Sequence, residues 1–360
     1  MDKSTLHSLF QKMVDTDASD LFLTTGAPPH IKVKGESWPL QMPALASGEA
    51  GTAAYSIMSA QQIADFERQL EANLSYNAPG IGRFRISVYR QRSETAMVAR
   101  LIHSTIPDFE TLGLPPVVRD LAMLKRGLLL VVGSAGSGKS TTLASMIDHR
   151  AHHSQGHILT VEDPIEYLFT HDRSTVDQRE IGTDTHSFAD ALRNAMRQAP
   201  DVIMIGEIRD RETMEHAIAY AETGHLCVST LHAANASQAL KRIINFFPEI
   251  LHPQLRLDLS LNLQAVVSQR LIPGREGGRV LATELLMHSG YVADLIYKGA
   301  VDEIRHAIEK STGVGMHTFD QMLLNLYNDG RIDEETAMAN ADSRADLRQR
   351  MRVRSAYDPH

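Results

Sequence analysis

The residues 133–140, Gly133-Ser134-Ala135-Gly136-Ser137-Gly138-Lys139-Ser140, fit the pattern G-x-x-x-x-G-K-[ST]. An apolar run at 128–132 precedes them, and Thr141-Thr142-Leu143-Ala144-Ser145-Met146-Ile147 continues them as a helix. This is chemistry for holding phosphates. Glycines let backbone N–H groups curl around the anion, and the helix N-terminus adds a favourable dipole. Lys139 is placed to reach the β- and γ-phosphates of ATP, and the Ser140 hydroxyl to bind Mg²⁺. Thr141, next in the chain, is counted with the nucleotide contacts. A chance glycine-rich turn would not need a strand before it and a helix after it.

Splitting a phosphoanhydride also needs a carboxylate to position water and others around the metal. Two acidic clusters follow short apolar runs, where open α/β sheets gather ligands. Glu162-Asp163-Pro164-Ile165-Glu166 follows the run 158–161, and Glu207 follows 202–206. Glu207 reads as the catalytic base or water-positioner. Glu162 and Asp163 read as catalytic groups that serve the Mg²⁺ shell, partly through water, or support the attacking water. The plainer alternative for all of them is capping of the next helix.

With 17 histidines, most must be ordinary. His225 and His232 bracket the run 226–230, which follows the Glu207 strand by one helix. The expectation is that His232 senses the γ-phosphate or binds the catalytic carboxylate, and that His225 lies at the same nucleotide site. His149, His152 and His153 read as an exposed helical face rather than a zinc site. The single cysteine, Cys227, reads as a small buried apolar residue.

Arg83, Arg85, Arg90, Arg92 and Arg100 cluster in the first third of the chain. The run 83–90 alternates, which puts Phe84 on an apolar face and the arginines on the other. Either these form a solvated strand face, or Arg83 and Arg85 reach a nucleotide, as fingers into a neighbouring subunit would. Arg209 and Arg211 read as loop-anchoring or intersubunit residues.

The elements around these residues suggest two domains for 360 residues. Residues 1–103 read as a small α+β domain with a helix near the start, strands near 31–34 and 83–90, and a helix at 59–71. Residues 104–116, with Pro107, Gly113, Pro115 and Pro116, read as a linker. Residues 117–287 read as an α/β core. Its runs 128–132, 158–161, 202–205 and 226–230 fit strands buried on both faces of a parallel sheet. Residues 288–360 read as a helical region. Two bodies across a hinge, closed into a ring, would let nucleotide bias their angle and turn hydrolysis into directional work.

At 43% hydrophobic and 22% charged residues, the composition is that of a globular chain and weighs against disorder as the main state. A net charge of −8 weighs against a general nucleic-acid partner. One cysteine excludes an internal disulfide. The start lacks the plan of a signal peptide, and no apolar run approaches the ~20 residues needed to span a bilayer. The expectation is a soluble, cytoplasmic chain that meets a membrane through a partner.

Taken together, these motifs resemble the type IV pilus retraction ATPases, the PilT/PilU branch of the secretion ATPase superfamily. Residues 76–85 resemble the family's N-terminal strand motif, 133–140 its Walker A loop, and 160–166 its Asp box. Residues 197–201 and 206–210 resemble its Walker B region, and 224–232 its His box. The resemblance covers nearly the whole chain. It implies a PAS-like N-terminal domain, a RecA-like ATPase core and a homohexameric ring. It also implies Mg-ATP hydrolysis driving pilus disassembly through an inner-membrane platform protein. Glu207 would be the catalytic glutamate, Glu162 and Asp163 would act in the Asp box, and His225 and His232 in the nucleotide and interface network.

PilT proteins carry a segment resembling Ala-Ile-Arg-Asn-Leu-Ile-Arg where this chain has residues 291–299. That stretch and the run 315–321 are closer to PilU, the accessory motor that works beside a PilT-type paralogue. The departure bears on autonomous retraction, not on hydrolysis. Three other readings compete. A pilus-assembly or type II secretion ATPase of the same superfamily is disfavoured by the short N-terminal domain and the lack of a cysteine zinc module. A RecA-like nucleic-acid motor is opposed by the acidic balance. A scaffold that binds ATP without turnover is opposed by the presence of both Lys139 and Glu207.

Overall fold

The computed structural model describes residues 1–102 and 105–355. The chain divides into two compact units, 1–105 with 165–168, and 106–164 with 169–360.

The first unit holds α1 (Lys3–Asp15), β1 (Ala18–Leu23), β2 (His30–Val33), β3 (Glu36–Pro39), α2 (Glu49–Tyr55), α3 (Ala60–Gln69), β4 (Glu71–Ala78), β5 (Gly82–Gln91) and β6 (Glu94–Ile102). Helix α1 starts where the Asp2 side chain accepts the Thr5 N–H. It buries Leu6, Leu9, Phe10 and Met13, the spacing of one helical face. The strands form an antiparallel sheet in the order β3-β2-β1-β6-β5-β4. Phe84, Ile86 and Val88 of β5 are buried in one core with the helices.

Strand parity puts Arg83 and Arg85 on the other face. Arg85 is exposed and stands opposite Ser75 and Arg100, and the Arg100 guanidinium meets Asp20 at 2.8 Å. Arg90 departs from the expected pattern. It shares the parity of Phe84, pairs with Glu67 of α3 at 2.8 Å, and lies over the Phe66 ring. Arg92 sits in the tight β5–β6 turn with positive φ. These two are therefore structural.

The second unit holds α4 (Phe109–Leu112), α5 (Val117–Ala122), β7 (Gly127–Gly133), α6 (Lys139–His153), β8 (Gly156–Glu162), β9 (Ser174–Glu180), α7 (Phe188–Ala195), β10 (Val202–Ile205), α8 (Arg211–Glu222), β11 (Leu226–Leu231), α9 (Ala236–Asn245), α10 (His252–Asn262), β12 (Leu263–Pro273) and β13 (Arg279–Met287). Phe109 and Leu114, from the proline-rich stretch, are buried in its core. Its sheet runs β13-β12-β7-β11-β10-β8-β9. All neighbours are parallel except β12 and β13, an antiparallel pair at one edge. The four apolar runs expected as parallel strands are β7, β8, β10 and β11. Strands β7, β10 and β11 are buried along their whole length because helices cover both faces. Strands β9, β12 and β13 extend the sheet beyond those four runs.

The helical region holds α11 (Gly290–Lys298), α12 (Ile304–Lys310), α13 (Phe319–Asn328), α14 (Glu334–Asn340) and α15 (Arg344–Ser355). Helices α13 to α15 bury Phe319, Leu323, Leu326 and Leu347 together with Ile272 of β12 and Ala282 of β13. No helix among the described residues is long and apolar enough to cross a membrane.

Candidate active site

The parallel register brings the C-terminal ends of β7, β8, β10 and β11 to one edge of the sheet. Each end delivers one part of the motif set. From β7 the chain enters the loop 134–138 and then α6. Gly136 and Gly138 take positive φ, +72° and +88°, which glycine adopts without steric cost. A Cβ on Gly133 would lie 2.3 Å from Ser137 Oγ and 2.6 Å from the Gln269 carbonyl oxygen, so no larger residue fits there. Lys139 is nearly buried, and its Nζ donates to the carbonyls of Gly133 (3.1 Å) and Ser134 (2.9 Å). That arrangement winds the loop about its own ammonium group. Ser137 Oγ is buried without a hydrogen-bond partner among the described residues. A buried orphan hydroxyl beside a glycine-lined turn and an ammonium fits a phosphate ligand.

Glu207 follows β10 across Gly206, whose N–H donates to Val161 of β8 and whose carbonyl accepts from Thr230 of β11. The residue is therefore fixed by both neighbouring strands. Its carboxylate is only 16% exposed and is held at both oxygens. His232 Nε2, just past β11, lies 2.9 Å from Oε1. Arg209 Nε donates to Oε2 at 2.6 Å, and its other branch reaches Asp163 Oδ2 at 3.4 Å. The Arg209 guanidinium is held above its ordinary pKa, first by the hydrogen bond to Glu207. Asp163, Glu207, Arg209 and His232 thus form one chain of contacts. Beyond the loop-anchoring or intersubunit role expected of it, Arg209 joins the two acids, and its place two residues after Glu207 is the signal for that.

Glu162 is turned into the protein, at 6% exposure. Its Oε1 accepts from Thr160 (2.7 Å) and from Gln178 of β9 (3.2 Å). No group of three or more His, Cys, Asp or Glu that could hold an ion by itself exists among the described residues. A magnesium ion here would need nucleotide oxygens in addition to Ser140 and the acids. Ser140 is half-buried in the first turn of α6, at the mouth of the loop.

His225 does not join this site. It precedes β11, its carbonyl accepts the N–H of Gly127 at the start of β7, and its ring meets Thr223. Bracketing a strand in sequence puts two residues at opposite edges of a parallel sheet. The length of β11 separates His225 from His232 by about 20 Å at ~3.3 Å per residue. His225 therefore stands at the opposite end of β11 from His232. Arg83 and Arg85 belong to the first unit, on the face described above. His149 and His153 stack at 4.1 Å on α6, as an ordinary helix face does. Cys227 is buried, and burial pushes its thiol up to about 12.

Strand β12, unforeseen, supports the site from below. Gln269 follows the register of Gly133, and its Nε2 donates to Thr142 Oγ1 of α6 at 2.6 Å. This bond fixes the helix that the loop opens.

The comparisons with known proteins agree with this arrangement. The family model described as Type II/IV secretion system protein matches residues 3–296. The type IV pilus ATPase PilU of Pseudomonas aeruginosa is 50% identical over 97% of this chain and 92% of its own. The chain belongs to the type IV pilus ATPases of the PilT/PilU kind, within the type II/IV secretion family. The pilus retraction ATPase PilT of the same organism is 40% identical over 90% of this chain and 94% of its own. A crystal structure titled as the pilus retraction motor PilT with bound ADP superposes with a TM-score of 0.90, at 42% identity. It covers 95% of this chain and 98% of that one.

For this PilT/PilU-type ATPase the departing segment 291–299 falls on α11. Val292, Leu295 and Ile296 of that helix are buried, while Tyr291 and Tyr297 are about half exposed. In the other departing run, His317 Nε2 meets Thr283 Oγ1 of β13 at 2.9 Å.

Proposed function

We propose that this chain is a cytoplasmic, Mg-ATP-hydrolysing subunit of a homohexameric ring that powers type IV pilus retraction in the accessory, PilU-type role. In that reading it docks at the inner membrane through the pilus platform protein and works beside a PilT-type paralogue. Membership of the PilT/PilU family supports ATPase activity and pilus retraction. The observation that carries the hydrolytic step is Glu207, held between His232 and Arg209 at the sheet edge that also bears the phosphate loop.

The loop amides and Lys139 grip the phosphates, so binding exchanges the lysine's bonds to Gly133 and Ser134 for charge-assisted ones. Glu207 orients and deprotonates the attacking water. His232 and Arg209 fix the carboxylate's direction, which sets the geometry before chemistry begins. Magnesium, when bound, would neutralise phosphate charge, with Ser140 as a ligand and Glu162 and Asp163 around its shell. Arg83 and Arg85 would act in trans, from the sheet face of a neighbouring subunit.

The test is steady-state ATPase of wild type against Glu207→Gln, with native mass spectrometry on the same samples. Turnover in wild type, its loss in the variant and a hexamer in both support the reading. An active variant would remove Glu207 from catalysis. A wild type that stays monomeric with ATP at micromolar protein would overturn the ring.

A further inference from the structure

Strand β13 places a carboxylate inside the protein that none of the chemistry above uses. Glu284 is 2% exposed in a mostly apolar strand. Burying a charge is costly unless specific partners meet it. Its Oε1 accepts the N–H of Ala236, the first residue of α9, at 2.9 Å, and the hydroxyl of Ser268 on β12 at 3.3 Å.

The register shows where this anchor sits. Leu231 of β11 pairs with Val132 of β7, Val132 with Ser268, and Ser268 with Glu284. That row lies one residue before Gly133 and one before His232. Beyond Leu231 the chain has only residues 232–235 before α9 begins. The β11 end of this short connection is fixed by the sheet. Its α9 end is fixed by Glu284 on the Ala236 amide and by Asn235, whose side chain accepts the Gln238 N–H. His232 is the first residue of the connection.

We propose that Glu284 is a positioning residue for ATP hydrolysis, holding the His232 imidazole on Glu207 through the first turn of α9. The proposal rests on the hydrolytic reading of Glu207 above. An ionised Glu284 makes a charge-assisted bond to the helix N-terminus, where negative charge is favourable. The neutral acid holds the same amide less tightly. Burial raises this carboxyl to about 7. Asp342, ahead of α15, pushes it further up, and Arg270 of β12 pulls it down. Helix α9 presents the Ala236 amide and β12 the Ser268 hydroxyl. His317 meets Thr283, which by strand parity points to the opposite face. The grip on the His232 connection therefore strengthens as pH rises through neutrality.

The experiment measures kcat, KM for ATP and the pH profile of full-length wild type, Glu284→Ala, Glu284→Gln, His232→Ala and the double variant Glu284→Ala/His232→Ala. Glu284→Ala should lower kcat about tenfold with KM nearly unchanged, as expected when only the positioning of a catalytic group is disturbed. Glu284→Gln keeps an acceptor oxygen, so it should recover most of the loss at neutral pH and lose the rise in kcat between about pH 6 and about pH 8 seen in wild type. The double variant should be no slower than His232→Ala, because the two residues act in series. Additive losses, or a Glu284→Gln profile identical to wild type, would overturn the proposal. If Glu284→Ala does not fold, the Glu284→Gln profile decides. Failure of the underlying reading looks different: wild type itself would not turn over, or Glu207→Gln would.

Discussion

His232 Nε2 lies 2.9 Å from Glu207 Oε1, and the two residues come from the ends of adjacent parallel strands. A sheet register thus sets the distance between them. The carboxylate cannot rotate without breaking this contact and the one to Arg209. Replacing Glu207 by Gln keeps the size and removes the carboxylate proposed above as the base. Turnover should fall by about 10² or more, the usual contribution of a general base, with nucleotide affinity retained. His232→Ala should lower kcat less, because it removes orientation and leaves the base. Steady-state kinetics alongside binding of a fluorescent ADP analogue separates the two effects.

Arg209 joins Glu207 to Asp163, so its loss frees both acids. Arg209→Ala should lower kcat with little change in melting temperature, since the guanidinium is more than half exposed. Arg209→Lys should rescue it poorly, because an ammonium cannot span two carboxylates as a planar fork does. A lysine variant as active as wild type would show that charge alone suffices.

Gly133→Ala should act on binding rather than on the chemical step. Its Cβ would fall 2.6 Å from the Gln269 carbonyl, a backbone atom of the neighbouring strand. The loop or β12 must then move, at about 1–3 kcal/mol for an overpacked site. Affinity for ADP should drop at least about tenfold by titration of the fluorescent analogue. Unchanged affinity would mean that the loop tolerates the displacement.

The phosphate loop and the Glu207 strand end were legible because a short motif stood between a fully apolar run and a helix. Continuous apolar or β-prone runs also marked β7, β8, β10 and β11. Strand β9 escaped because its sequence, Ser174-Thr175-Val176-Asp177-Gln178-Arg179-Glu180, is that of a polar edge. The β12–β13 pair escaped because its apolar runs read equally well as helix or strand. Glu284 carries a signal in the sequence, since an acid inside the run 281–287 must be either exposed or paired. Sequence does not place His225 beside His232, because nearness in sequence is not nearness across a strand. Arg90 was misplaced because the alternation of β5 was not followed to the strand's end, where Glu67 waits on α3.

His225→Ala follows from that correction. At the N-terminal edge of β11 the ring meets Thr223 and the Tyr220 ring, not the phosphate loop. ADP affinity should stay within about twofold of wild type, as for surface substitutions away from a site. A larger loss in the assembled protein that vanishes in a monomeric form would mean that His225 meets the nucleotide of another subunit.

Glu284 makes the last prediction one of stability against pH. Its ordinary pKa is 4.5, and burial raises it to about 7 in the folded chain. Between those values the native state binds the proton more tightly than the unfolded state does. Stability therefore falls as pH rises through that window, and the loss is complete above about 7. The gap corresponds to about 3 kcal/mol. Glu284→Gln carries no titrating group there. Its melting temperature relative to wild type should climb between about pH 5 and about pH 7.5 and then level off. A constant difference across that range would mean that Glu284 titrates alike in both states. The climb, together with slower hydrolysis in the same variant at high pH, would show a buried charge kept for positioning at a cost in stability.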